Sequence, residues 1–201
     1  DLVNQTGRTP KYTFPTPGVY NVTLTVYDSD GQFDTDSMTV TVVDVTPPIA
    51  DAGQVREFNE DVEVTMDASL SFDDVGIVSY RWVVTYQGVT VFEGNKKKER
   101  FNFTDPGLYE VTLTVTDGVG LTAEDTVQYS VIDVTPPTAS VGIDVELDED
   151  APHTFSGSAS QDNVGIVDWE WVISAEDMPP VRRTGESFEY VFSEPGVYTV
   201  T

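Results

Sequence analysis

The 201-residue chain has no cysteine, one histidine, ten lysines and arginines together, and no apolar run longer than a strand. Each shortage removes a class of explanation. Without cysteine there is no disulfide framework, although that alone does not assign a compartment. Without a span of about 20 apolar residues no membrane crossing is expected within this segment, and any signal peptide or anchor is expected outside it. With 35 acidic residues against 10 basic ones, a formal net charge of −25, nucleic acid and anionic membranes are poor partners and cations are natural ones. Of the acids, 21 are aspartate and 14 glutamate. Aspartate is the shorter ligand and turn former, so the excess fits calcium binding, a saline habitat or a merely solvated surface.

What the chain does have is a repeat. YTFPTPGVYNVTLTV begins at Tyr12, FNFTDPGLYEVTLTV at Phe101 and YVFSEPGVYTVT at Tyr190, a gap-free period of 89. FDDVGIVSYRWVV from Phe72 matches QDNVGIVDWEWVI from Gln161 at the same spacing, and DVTPP recurs at Asp44 and Asp133. Residues 45–133 form one complete repeat, 1–44 the C-terminal half of another, and 134–201 the N-terminal three-quarters of a third. Half a repeat leaves an apolar face and unpaired backbone, so the expectation is a segment of a longer tandem array. The sharper alternative is completion by strands of a neighbouring chain.

Within a repeat the periodicity is two. Tyr109, Val111, Leu113 and Val115 alternate with Glu110, Thr112, Thr114 and Thr116, the pattern of a half-buried antiparallel strand. The same reading predicts strands near 62–70, 77–86, 89–93, 100–104, 108–116 and 125–132, and no helix. About seven short strands per repeat imply an all-β fold, tandem immunoglobulin-like β-sandwiches. Trp82 and Trp171 sit where the third strand buries its tryptophan, and Tyr20, Tyr109 and Tyr198 each follow Pro-Gly and open the penultimate strand. That placement resembles a tyrosine corner whose phenol bonds backbone at the turn.

The runs DVTPPIADAG, SFDDVGIVSYRW and YTFPTPGVYNVTLTVYDSDG resemble a PKD (polycystic kidney disease-type) domain, in the form found as tandem repeats in archaeal and bacterial surface proteins. The chain departs from the family's Trp-x-Phe-Gly-Asp-Gly after the third strand, carrying WVVTYQG and WVISAED instead. The resemblance implies a non-catalytic extracellular module: a surface-layer (S-layer), filament or stalk component, an adhesive or carbohydrate-binding stalk, or an accessory domain of a secreted protease or glycosidase.

Catalysis has little to work with. His153 stands at the repeat position of Val64, and paired carboxylates are abundant enough to match a glycosidase pattern by chance. Calcium is the stronger chemical reading. In such a sandwich the loop after the second strand and the loop before the last strand share one end with the entering chain. That topology directs Asp44, Asp51, Asp73, Asp74 and Asp117 toward one joint, where like charges would repel without a cation. The resemblance implies calcium binding through this loop region, as in some PKD modules, at Asp73 and Asp74. The second joint offers Asp133, Asp162 and Asn163, with Ser140 in place of Asp51. Asp28 and Asp30 in DSDG are a weaker signal, and all of these aspartates serve equally as turn formers.

Three N-x-T sequons, at Asn4, Asn21 and Asn102, are candidate N-linked glycan sites, the last two expected to face solvent from their strands. Lys96, Lys97 and Lys98 form the chain's cationic run, read as a solvated loop tip or as a contact with an acidic face of a neighbouring copy. Partners are thus expected among neighbouring repeats or copies of the same protein. Proline fixes φ and cannot donate to a ladder, so each DVTPP ends one sandwich and enters the next in a stiff, extended conformation.

Overall fold

The computed structural model describes residues 3–201, so the first two residues of the 1–44 segment lie outside it. The described residues form strands and no helix: β1 (Gly18–Tyr27), β2 (Phe33–Val42), β3 (Arg56–Asn59), β4 (Val62–Asp67), β5 (Ile77–Tyr86), β6 (Val89–Gly94), β7 (Lys98–Phe103), β8 (Gly107–Asp117), β9 (Thr122–Ile132), β10 (Pro152–Ser156), β11 (Glu170–Ala175), β12 (Met178–Thr184), β13 (Ser187–Val191) and β14 (Thr199–Val200). The alternation of the sequence therefore finds its strands. The exception is β3, four residues reading REFN, too short and too charged to show a period.

In the middle repeat the sheets follow the orders β3-β9-β8-β5-β6 and β4-β7, an antiparallel sandwich of immunoglobulin-like type. β1 and β2 form a two-stranded hairpin, and the third repeat contains β10-β13 and β12-β11-β14. The described residues divide into two compact units, one within 3–56, 63–101 and 108–129, the other of 57–62, 102–107 and 130–201.

The core of the first unit is built on the β5–β8 register, which sets Trp82 opposite Leu113 and Val84 opposite Val111. All four are fully buried, with Val115 and Met66 beside them. The Trp82 indole N–H would cost energy if left unpaired in that core. It donates to the Lys96 carbonyl at 3.1 Å, so the tryptophan also anchors the lysine loop. β5 turns into β6 through Gln87 and Gly88, with φ of 49° and 78°. Two left-handed residues define a type I′ turn, whose twist matches the flanking strands, and WVVTYQG therefore closes a tight hairpin. On β1 and β2 the apolar residues Leu24, Val26 and Met38 are exposed.

The second unit repeats this construction with aromatic material. Trp171 is buried and its indole N–H reaches the Gly185 carbonyl at 2.8 Å, 89 residues after the Trp82–Lys96 bond. Phe155 stacks on Phe188 at 5.2 Å between ring centroids, and His153 packs edge-on against Phe155 at 4.8 Å, an apolar role matching Val64. Gly157 replaces Ala68 because Trp169 replaces Tyr80: a Cβ there would lie 2.8 Å from Trp169 Cδ1. The tyrosine corner is present in both terminal repeats. Tyr20 donates to the Thr16 carbonyl at 2.7 Å and Tyr198 to the Glu194 carbonyl at 2.9 Å.

Trp82→Ala should cost about 3–5 kcal/mol by the loss of a large buried side chain and its cavity. Urea unfolding followed by circular dichroism measures it; a loss below about 1 kcal/mol would show that this residue does not organise the core.

Candidate metal centre

The joint at Asp44 is assembled by backbone pairing. Ile49 and Phe72 exchange N–H to carbonyl bonds at 2.7 and 3.0 Å, and the Asp51 N–H reaches Ser71 Oγ at 3.0 Å. The extended segment after the two prolines is thereby laid against the loop that follows β4. Thr138 with Gln161, and Ser140 with Ser160, make the same contacts one period later.

Three aspartates then divide their oxygens in the same way. Asp44 Oδ1 accepts the Thr46 N–H at 2.9 Å. Asp73 Oδ2 accepts the N–H groups of Val75 and Gly76 at 2.9 and 2.6 Å. Asp117 Oδ1 accepts those of Val119, Gly120 and Leu121 at 2.8 to 2.9 Å. Each loop is thus folded by one oxygen of its own aspartate, the Asx-turn chemistry that aspartate favours. The second oxygens, Asp44 Oδ2, Asp73 Oδ1 and Asp117 Oδ2, are buried and have no hydrogen-bond partner.

One carboxylate oxygen from each of the three aspartates lies within 4.8 Å of the others. Oxygens bound to one calcium ion at roughly 2.4 Å each stand no more than about 4.8 Å apart, so three oxygens within that limit can share an ion. At an effective dielectric near 20, unit charges no farther apart than this repel by on the order of 3 kcal/mol or more per pair. A divalent cation would remove that repulsion and satisfy all three sequestered oxygens. The residues present therefore fit calcium, with three carboxylates as hard ligands and the rest of its shell left to water or carbonyls.

Of the five carboxylates directed here by sequence, Asp51 and Asp74 are not in the cluster. Asp51 Oδ1 caps the Gly53 N–H at 2.9 Å, and Asp74 is exposed. At the second joint Asp133 Oδ1 accepts the Thr135 N–H at 3.0 Å, and Asp162 Oδ1 those of Val164 and Gly165 at 2.9 and 2.7 Å. The position corresponding to Asp117 falls beyond residue 201. Asp28, in the phase of Asp117, folds its own DSDG loop by accepting from the N–H groups of Asp30 and Gln32.

Sequence reasoning missed Glu60. It is 5% exposed, and its Oε1 accepts the N–H groups of Val134 and Thr135 at 3.0 and 2.8 Å together with the Thr135 hydroxyl. Its Oε2 accepts from Asn163 Nδ2 at 2.5 Å. The Thr135 hydroxyl, then the Val134 amide, hold its carboxyl below the ordinary glutamate value against the opposing effect of burial. The available signal was Glu149, its counterpart one period on.

Asn4, Asn21 and Asn102 are all exposed. Turned so that its nitrogen faces the carbonyls of Asp61 and Val62 at 3.1 and 3.3 Å, the Asn102 side-chain amide would donate to both. In the lysine run, Lys98 pairs with Asp67 at 2.6 Å and holds that carboxyl down to about 2, while Lys96 and Lys97 stand exposed.

The sandwich, its tyrosine corners and the loops gathered at a proline joint define a tandem immunoglobulin-like module. The PKD domain family matches residues 1–42, 45–131 and 134–201, and the chain belongs to that family of extracellular structural and adhesive modules. It is 33% identical over 195 residues to the dyslexia-associated protein KIAA0319 homolog of Rattus norvegicus, covering 90% of this chain and 18% of the relative. It is 34% identical over 162 residues to the dyslexia-associated protein KIAA0319-like protein of Mus musculus, covering 77% of this chain and 16% of the relative. The chain thus spans less than a fifth of the curated relatives it matches. Among solved structures it is similar to the PKD domain from KIAA 1837 protein, at 30% identity and a TM-score of 0.39, covering 49% of this chain and 99% of that one.

Asp117→Asn keeps the oxygen that folds its loop and replaces the orphaned one with a donor. In chelator it should raise the melting temperature by about 2–4 °C, by relieving repulsion, yet abolish any rise on adding calcium. A lower melting temperature in chelator, or an undiminished calcium response, would contradict the assignment.

Proposed function

We propose that this chain is a segment of an extracellular tandem array, a rigid spacer or assembly unit of a cell-surface layer, filament or stalk, whose joint is stiffened by calcium. The observation that carries this reading is the set of three sequestered, unpartnered carboxylate oxygens beside the two prolines of the joint. Asp44 comes from the entering segment, Asp73 and Asp117 from two loops of the next sandwich, so one ion would tie the linker to the domain it introduces. Membership of the PKD family supports the extracellular setting.

The chemistry suits that setting. Extracellular calcium modules work with dissociation constants of about 10⁻⁴ to 10⁻³ M, which millimolar calcium fills and cytosolic calcium does not. An acidic surface of net charge −25 keeps such an array soluble and suits a saline habitat, as for an archaeal surface layer. N-linked glycans would sit on the outward amides of Asn4 and Asn21. Membership of the PKD family supports reading the segment as a non-catalytic module.

Backbone ¹⁵N relaxation tests the reading. With calcium, the amides of Thr46, Val75, Gly76 and Val119 should be as rigid as those of β8; in chelator they should show millisecond exchange. Identical relaxation in the two conditions would remove calcium from the joint's mechanics.

A further inference from the structure

A second joint is held by different chemistry. The turn between β3 and β4 puts Asp61 at φ 59° and bonds its N–H to the Phe103 carbonyl at 2.8 Å. The left-handed residue directs the chain so that the preceding Glu60 faces the segment leaving β9. Its own N–H bonds the Ile132 carbonyl at 2.9 Å. Glu60 then receives four hydrogen bonds from the third repeat: two amides and a hydroxyl from Val134 and Thr135, and the Asn163 side-chain amide. A buried carboxylate is costly unless paired or fully hydrogen-bonded, and here no cation side chain is among the groups bonded to it. These four donors come from the repeat that follows, and the Asp133 side chain at the end of the middle repeat also stands against Glu60.

We propose that the Glu60 turn is a docking receptor for the following repeat, and that the residue at position 163 decides which repeats it accepts. Val134 and Thr135 correspond to Val45 and Thr46, so both joints offer the same amides and hydroxyl. Asn163 corresponds to Asp74, so they differ in the group that meets Oε2. An amide donates to that oxygen. A carboxylate in its place would set two anions in contact in a partly dehydrated site. Asparagine here therefore admits a repeat behind a glutamate turn, and aspartate rejects it.

The receptor is also present in the third repeat. Asp150 has φ 61° and bonds the Phe192 carbonyl at 2.8 Å, the geometry of Asp61, and the preceding Glu149 is exposed. The partner that fits it is a PKD-like repeat opening Val-Thr-Pro-Pro with asparagine after the aspartate of its D-x-V-G loop. That extension rests on the array reading; the Glu60 contact does not, and it needs no metal.

A mutant cycle in chelator tests the proposal separately from the calcium site. Amide hydrogen exchange at Val134 and Thr135 reads the contact directly. Asn163→Asp should speed their exchange by roughly tenfold or more, through loss of a charge-assisted bond and the new repulsion. Glu60→Gln combined with Asn163→Asp reverses donor and acceptor and should return exchange to within about threefold of the native rate. Native-like exchange in Asn163→Asp, or a double variant no slower than that single one, overturns the proposal.

Discussion

The structure turns on a division of labour within single aspartate side chains. At Asp44, Asp73 and Asp117 one oxygen is consumed in folding the local turn, which fixes the carboxylate and leaves the other oxygen aimed where the loop geometry sends it. Turn formation and the placement of a buried, unpartnered carboxylate oxygen are therefore the same event. A carboxylate that were merely a turn former would leave its second oxygen in water; these three are withdrawn from it together. The sandwich supplies the rest, since the β5–β8 ladder and the Ile49–Phe72 bridge place the three loops at one end.

That dependence explains why the core is conserved in design between the two larger repeats while its materials differ. Trp82 and Trp171 each bury an indole ring and each bond the carbonyl fourteen residues ahead, fixing sheet and loop at once. Around them Ala68 with Tyr80 gives way to Gly157 with Trp169, a volume exchange that keeps the packing closed. The joints behave likewise. Both begin with the same proline segment and the same bridge to the loop after it, but one gathers carboxylates and the other hydrogen-bonds a single glutamate.

Much of this is legible in the sequence. Period-two alternation located β5, β8 and their neighbours, and the invariant phase of Pro-Gly-x-Tyr located the tyrosine corners, because strands and turns write local signals. The convergence of Asp44, Asp73 and Asp117 was legible through topology alone. Proximity in sequence misled for Asp51 and Asp74: both lie at the joint, but Asp51 spends its carboxylate on Gly53 and Asp74 points to solvent. Glu60 left no local trace, since NEDV reads as an ordinary charged turn and its partners lie more than seventy residues away. Only its recurrence as Glu149 marked it.

The central claim is that the proline joint is a calcium site built from three loops. Isothermal titration of the chain with calcium tests it most directly. The account predicts saturable binding of one ion at the first joint, with a dissociation constant of about 10⁻⁴ to 10⁻³ M, abolished in Asp73→Asn. No saturable binding up to about 10 mM calcium, tenfold above that range, or binding unchanged in Asp73→Asn, would contradict it.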